Sequence, residues 1–286
     1  MPRATATRPR PSTIAQDGLV VRRYGKSGRA YYWNGIKFVS VSETKDVLRK
    51  RLENWSAKCE RELVLGKVEE YLTGRDLSQL SPSGIRAAVL ASCGEQYAWV
   101  KARSDAGSIG HEVHSAIEIW LAWKVFEQVG GVQPPDVPIL QGPALVSFEK
   151  FLAWAKATDL QPIASELSVC SPTDKWGGTL DELAYVEGEP AILDWKSGGN
   201  LYLEDYMQIS AYRRGYNEFE PARVKGIDRV DRCYLVHLPK KADDAPTRIV
   251  QLDQAELDHH YATFQLAVPL AYRMNAWEAQ RKGVAA

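Results

Sequence analysis

The sequence predicts a mixed α/β protein, with a helix-flanked sheet in its second half and helices and a small β-meander in its first. Three observations lead there. Between residues 163 and 195, short β-branched and aromatic runs alternate with turn residues, and helical apolar spacing brackets them on both sides. Residues 43–129 carry helical spacing over most of their length. The composition is that of a folded chain. Of 286 residues, 45% are hydrophobic and 25% charged, which allows a sizeable core and excludes wholesale disorder.

The elements follow in order. The first 16 residues hold Arg3, Arg8 and Arg10 and no acid, a faint transit-peptide signal. Pro2, Pro9 and Pro11 oppose the amphipathic helix such a peptide needs, so residues 1–17 read as a disordered tail. Strand-like runs at 19–24, 30–33 and 37–41 are separated by Gly25-Lys26-Ser27-Gly28 and by Asn34-Gly35, a strong hairpin signal. Ser42 reads as the N-cap of a long helix from 43 to about 72. Further helices fit 83–92, 95–101 and 110–129, with Gly94 and Gly107 as punctuation, and a Pro/Gly-rich connector fits 130–138.

Past Gly142 a helix fits 144–158 and strands fit 163–170, 178–186 and 191–195. A helix at 203–219, strands at 230–237 and 247–252 and a closing helix at 254–281 complete the chain, with Pro269 expected to kink the last. The expected division is a tail (1–17), a meander and helical subdomain (18–138) and an α-β-β-β-α-β core with a C-terminal helix (139–286).

Several function classes are excluded. Lysine plus arginine is 36 and aspartate plus glutamate is 36, so the chain is no polycation, though a local basic groove can still hold nucleic acid. No apolar run approaches the roughly 18 residues of a membrane span. Cys59, Cys93, Cys170 and Cys233 lie far apart without a CxxC pair, so structural zinc lacks its usual spacing and free thiols in a reducing cytosol are expected. No phosphate-binding G-x-x-x-x-G-K-[ST] loop occurs, so the chain carries no motor of its own.

The densest chemistry is Gly178-Thr-Leu-Asp181 followed by Asp194-Trp195-Lys196. Asp194 and Lys196 are two apart on a strand and share a face. Asp181 lies on the strand that would pair with it through the Glu187-Gly188 turn. Two carboxylates on adjacent strands suit a hard divalent cation, with Lys196 beside its bound water or a scissile phosphate. The competing reading is a surface hairpin with an ion pair of little energetic worth. His114 falls on the apolar arc of its helix with Glu118 near the margin, as a ligand or as a core histidine. His111 and His114 are three apart rather than four, which rules out a zinc-protease helix. Gln208 and Tyr212 share a helix face, and Glu166 sits on the strand before Asp181, adding a carboxylate or standing exposed.

In this order the residues resemble the RecB-like branch of the PD-(D/E)XK nuclease superfamily. Gly110/His114/Glu118, Glu166, Gly178/Asp181, Asp194/Lys196 and Gln208/Tyr212 match its successive motifs over roughly residues 107 to 220. The segment Phe38-Val-Ser-Val-Ser-Glu-Thr-Lys-Asp-Val-Leu, with Glu53-Asn-Trp55, is similar to phage-type and mitochondrial genome-maintenance exonucleases. The resemblance implies the αβββαβ core and a Mg²⁺ or Mn²⁺ site on His114, Asp181, Asp194 and the Trp195 carbonyl. Lys196 would be catalytic, supported by Glu166, Gln208 and Tyr212, and the products would carry 5′-phosphates. Relatives with a four-cysteine Fe–S cluster group three cysteines near the C-terminus; only Cys233 lies there, so no cluster is expected.

Grip on DNA would come from local charge. Residues 212–241 carry eight basic groups, Arg213 and Arg214 among them, against four acids. Lys45 with Arg49, Lys50 and Arg51 forms a second cluster beside Trp55, the pairing of cations and aromatics that holds phosphates and stacks bases. Two solvated faces are the competing reading. The expectation is a cytosolic DNA exonuclease of phage or bacterial recombination, repair or replication. Its partners would be single strands or duplex ends and a single-strand annealing or binding protein. A non-catalytic end-binding module or an endonuclease on the same fold is the alternative.

Overall fold

The computed structural model of the chain describes residues 12–16, 18–24, 28–48, 53–93, 97–128, 130, 139–240 and 247–283. Strands β1 (Ser12–Gln16), β2 (Leu19–Tyr24), β3 (Gly28–Trp33) and β4 (Ile36–Ser40) lead into helices α1 (Val41–Asp46), α2 (Glu53–Leu72), α3 (Pro82–Ser92) and α4 (Ala98–Gln128). Then come α5 (Gly142–Ala157), β5 (Gln161–Ser171), β6 (Trp176–Val186), β7 (Glu189–Lys196) and α6 (Leu203–Glu218). Strands β8 (Arg232–His237) and β9 (Arg248–Leu252) and helix α7 (Gln254–Arg281) end the order. The class is mixed α/β, as the apolar spacing predicts.

The strands belong to one mixed sheet in the order β1-β2-β3-β4-β6-β7-β8-β9, with β5 on the other edge of β6. The β3–β4 turn places Asn34 at φ 48° and Gly35 at φ 81°, and the β6–β7 turn places Glu187 at 54° and Gly188 at 80°. Both are two-residue turns with two left-handed positions, whose twist matches that of the strands they join. The expected tail holds a strand instead: Ser12–Gln16 pairs antiparallel with β2, Ile14 opposite Val21. Residues 1–11 and 17 lie outside the described residues. The meander is also not a separate piece. Strand β4 pairs in parallel with the start of β6, Val39 opposite Trp176 and Ser40 opposite Gly177.

That ladder changes the division of the chain. Residues up to Leu48 and from Val113 onward form one compact unit, and Arg49–Glu112 form another. The expected boundary at 138 follows the connector in sequence, whereas packing follows the β4–β6 ladder and the buried Val113, Ala116, Ile117 and Leu121 of α4. In the second unit, α2 buries no residue and α3 buries only Val89.

Two helix boundaries differ from expectation. Ser40, not Ser42, caps α1: its hydroxyl accepts from the Glu43 N–H at 3.0 Å, and the Glu43 carboxylate accepts from the Ser40 N–H at 2.7 Å. Helix α1 ends at Asp46, so the long helix expected from 43 is two helices. Helix α4 runs through Gly107 without a break, since one internal glycine costs only about 1 kcal/mol. Helix α7 likewise continues through Pro269.

In the first unit the core lies on both faces of the sheet. Trp176, Tyr216 and Phe264 are buried on the side of α6 and α7. On the other side Trp195 meets Phe151 and Trp154 of α5 edge to face, with ring centroids 5.2 and 5.9 Å apart. Among the described residues no helix is long and apolar enough to cross a membrane.

Candidate active site

Strand β6 builds the site by changing partners along one edge. Its start, Trp176 and Gly177, pairs with β4, and Glu182–Val186 pairs with β7. Residues 178–181 therefore have no strand on that edge, and the ladder opens there. Glu182 opposite Leu193 is the β6–β7 pair nearest this opening. Beyond it Asp194, Trp195 and Lys196 continue in parallel register with β8 alone. Asp181 and Asp194 thus stand on either side of the parting strands. The Trp195 N–H donates to Asp181 Oδ2 at 3.0 Å, a side chain taking the place of the missing ladder bond.

Gly178 is required by close packing. A Cβ there would lie 2.8 Å from the Tyr212 ring and 2.8 Å from Val41, so helices α6 and α1 approach the strand only because it is bare.

Asp194 has no exposed surface and forms an ion pair with Lys196 through Oδ2, while its Oδ1 is buried without a hydrogen-bond partner. Burial raises its carboxyl to about 7; Lys196 draws it down and Asp181 pushes it up. Burial also opposes the charge on Lys196, but Asp194, Asp181 and Asp205 outweigh it and lift the ammonium above the ordinary lysine value. The Lys196 Nζ donates to Gln208 Oε1 at 3.3 Å, and Gln208 Nε2 donates to the Tyr212 hydroxyl at 2.8 Å. The i, i+4 pair on α6 thereby orients the lysine.

His114 comes from α4. Its Nε2 lies 2.9 Å from the Trp195 carbonyl and its Nδ1 3.8 Å from Asp181 Oδ2. Burial lowers its pKa; Asp181 counters this and Lys196 reinforces it. The imidazole is therefore held toward the neutral form that ligates metals.

Glu166 takes a left-handed φ of 55°, a conformation that costs a glutamate on the order of 1–3 kcal/mol. Its carboxylate forms an ion pair with Arg29 of β3. Glu118, beside it, is raised to about 7 by burial, by the charges of Glu166 and Asp181 and by a hydrogen bond to Glu166.

The structure therefore gathers His114, Glu166, Asp181, Asp194, Trp195, Lys196, Gln208 and Tyr212 at one place. Other expected residues stand elsewhere. Arg213 is buried and bound to Asp231, Gln254 and Asp258, at 3.1, 2.5 and 3.2 Å, so its guanidinium is spent within the fold. Arg214 is half-exposed and pairs with Glu218 at 3.1 Å, one turn along its own helix. Trp55 lies on α2 in the second unit and is partly exposed. Arg49, Lys50 and Arg51 lie outside the described residues. Two residues join the site that its motifs do not contain. Arg29 carries no local signal, because its partner is 137 positions away. Lys45, read as part of a basic run and of the segment from Phe38 to Leu48, has its Nζ 2.7 Å from Gln208 Oε1.

The donor chemistry fits a hard cation. Two carboxylates, an imidazole and a carbonyl stand around the opening, and Asp194 Oδ1 lacks a partner. Among the described residues no group of three or more His, Cys, Asp or Glu side chains is placed to hold a metal ion as it stands.

No family model matches the chain, and no curated protein sequence matches it. Among solved structures it is similar to a protein from Eubacterium rectale named "Putative exonuclease", at 15% identity and a TM-score of 0.42, covering 82% of this chain and 80% of that one. It is also similar to the protein named SSO0001, at 12% identity and a TM-score of 0.31, covering 77% of this chain and 90% of that one.

Proposed function

We propose that the chain is a metal-dependent DNA exonuclease of the PD-(D/E)XK type that hydrolyses phosphodiester bonds to leave 5′-phosphates. The observation that carries this reading is the opening between β6 and β7, with Asp181, the buried Asp194–Lys196 pair and His114 around the Trp195 carbonyl. The element order α5-β5-β6-β7-α6-β8 supports the same core. DNA recombination, repair or replication is the setting, with single strands or duplex ends as substrate.

Mg²⁺ or Mn²⁺ held by His114, Asp181, Asp194 and the Trp195 carbonyl would supply positive charge against the phosphate and acidify a bound water. The chain's own residues do the rest. Lys196 donates hydrogen bonds to the phosphate oxygens as negative charge develops on them. Gln208 and Tyr212 hold that ammonium in place, and Glu166 and Arg29 neutralise each other at the rim. In the hydrolysis, water oxygen bonds to phosphorus and gives up one proton to solvent, the P–O3′ bond breaks, and the 3′ oxygen takes up a proton from solvent to leave as a hydroxyl.

The test uses end-labelled linear and circular DNA, single- and double-stranded, with Mg²⁺, Mn²⁺ or EDTA, and Asp194→Ala as control. Metal-dependent loss of linear DNA alone is expected, and the label position gives the polarity. Cutting of circles would replace the exonuclease by an endonuclease. Binding without cutting would withdraw the catalytic reading.

A further inference from the structure

Gln208 Oε1 accepts hydrogen bonds from two ammonium groups, Lys196 at 3.3 Å and Lys45 at 2.7 Å. The proposed chemistry uses only the first. Lys45 reaches this point from α1, which is firmly held. Beyond its capping box, the Thr44 hydroxyl donates to the Ser40 carbonyl at 3.0 Å and Asn275 of α7 donates to Glu43 at 3.1 Å. Gln208 is equally fixed, because its amide nitrogen is committed to Tyr212. The two cations are thus set side by side on elements far apart in sequence, α1 and β7.

This arrangement is costly for stability. A lysine brought beside another lysine on a neutral amide gains one hydrogen bond and meets like charge. Lys45 is desolvated, is opposed by Lys196, and feels the attraction of Asp194 and Asp205 only after those two effects. Asp194 is already committed to Lys196. A phosphate group placed against both ammoniums would relieve the repulsion and complete their hydrogen bonding.

We propose that Lys45 is a second phosphate-contacting cation of this site, forming with Lys196 and the bridging Gln208 a two-ammonium cradle for a phosphodiester of the DNA strand. The inference rests on the nuclease reading and deepens it, adding a substrate contact from the N-terminal helix.

The salt dependence of DNA binding tests it. A fluorescent single-stranded oligothymidylate is titrated with the wild-type chain, Lys45→Gln and Lys45→Arg across a series of KCl concentrations, with EDTA present to prevent cutting. Loss of one phosphate contact to a single strand lowers the slope of log K against log salt by about 0.7. Lys45→Gln is expected to show that loss together with an affinity drop of about tenfold at moderate salt. Lys45→Arg keeps the charge and should keep most of the slope. The Tm of Lys45→Gln should stay level or rise, since like-charge repulsion is removed. An unchanged slope in a folded Lys45→Gln protein would overturn the proposal and leave Lys45 as a prop for Gln208. If the wild-type chain cleaves DNA while Lys45→Gln matches its slope, only this proposal falls. If the wild-type chain neither binds nor cleaves, the nuclease reading falls with it.

Discussion

Two buried cations on or near α6 are set in opposite ways. Arg213 is surrounded by partners whose other sides face water: Asp231 and Asp258 are 52% and 64% exposed, and Gln254 completes the set. Lys196 is paired with an Asp194 that has no exposure and an oxygen left without a hydrogen bond. The first arrangement sets its charge against hydrated acids and leaves only the guanidinium Nε without a hydrogen bond. The second leaves a buried carboxylate oxygen with nothing to bind, an arrangement stability alone does not favour. The proposed function uses the second for chemistry, and the first serves the fold.

The largest effect that could break this contrast is Asp194→Asn. It is expected to lower DNA cleavage by about a hundred- to a thousandfold, and to lower the Tm as well, because the buried Lys196 loses its counter-ion. A gel assay and a thermal melt on the same sample decide it. A variant that still cuts would place the chemistry elsewhere. Arg213→Met should differ in cleavage. Its two acids can rehydrate, so the loss is about 1–3 kcal/mol of stability rather than that of a fully buried pair, read from denaturant unfolding, with cleavage retained. Loss of cleavage without loss of stability would return Arg213 to the DNA-binding face.

The pH dependence sharpens the comparison. Glu182, the neighbour of Asp181 on β6, is raised to about 8 by burial, with Ser165 and the Ile163 backbone drawing it down. A carboxyl raised in the folded state contributes stability that is complete below its unfolded value, near 4.5, and is lost as pH rises toward 8. Glu182→Gln should therefore gain on the wild-type chain in Tm between pH 5 and pH 8, and the two should converge near pH 4. Asp231, held low by Arg229 and then Arg213, and Asp258, held low by Gln254 and then Arg213, have the opposite sign. Their contribution is present above the ordinary aspartate value and is lost as pH falls below it. A Glu182→Gln difference that did not change with pH would mean the buried acid is ionised throughout. The smallest effect belongs to Arg214→Ala. Its exposed pair with Glu218 is worth about 0.3–0.5 kcal/mol, so stability should barely move. A large drop in DNA affinity would restore its role in grip.

Most of the strand and helix order was legible, because apolar alternation and turn residues act locally. The spacing from Ala191 to Lys196 places two charged side chains on one face at the end of a buried strand, and β7 does that. The structure brings His114 and Gln208 to the same place. The failures were of another kind. Gly107 reads as a breaker, but α4 passes through it because a long helix absorbs one glycine. Arg213 reads as part of a basic patch, yet its acids come from Asp231 and Asp258, outside any local window. The N-terminal residues read as a tail and a meander grouped with the helical subdomain, yet the β4–β6 ladder joins segments more than 130 residues apart.

By itself the sequence determined the mixed α/β class, the run of elements from α5 to β8 and the carboxylate–lysine strand, since periodicity and side-chain alternation are properties of neighbouring residues. The tertiary structure decided where the sheet opens, which of the basic residues are spent inside the fold, and that Lys45 and Arg29 join the site. Those outcomes depend on which edges pair and which charges meet across the sheet, and the energy of such contacts is set by distance in space rather than by position along the chain.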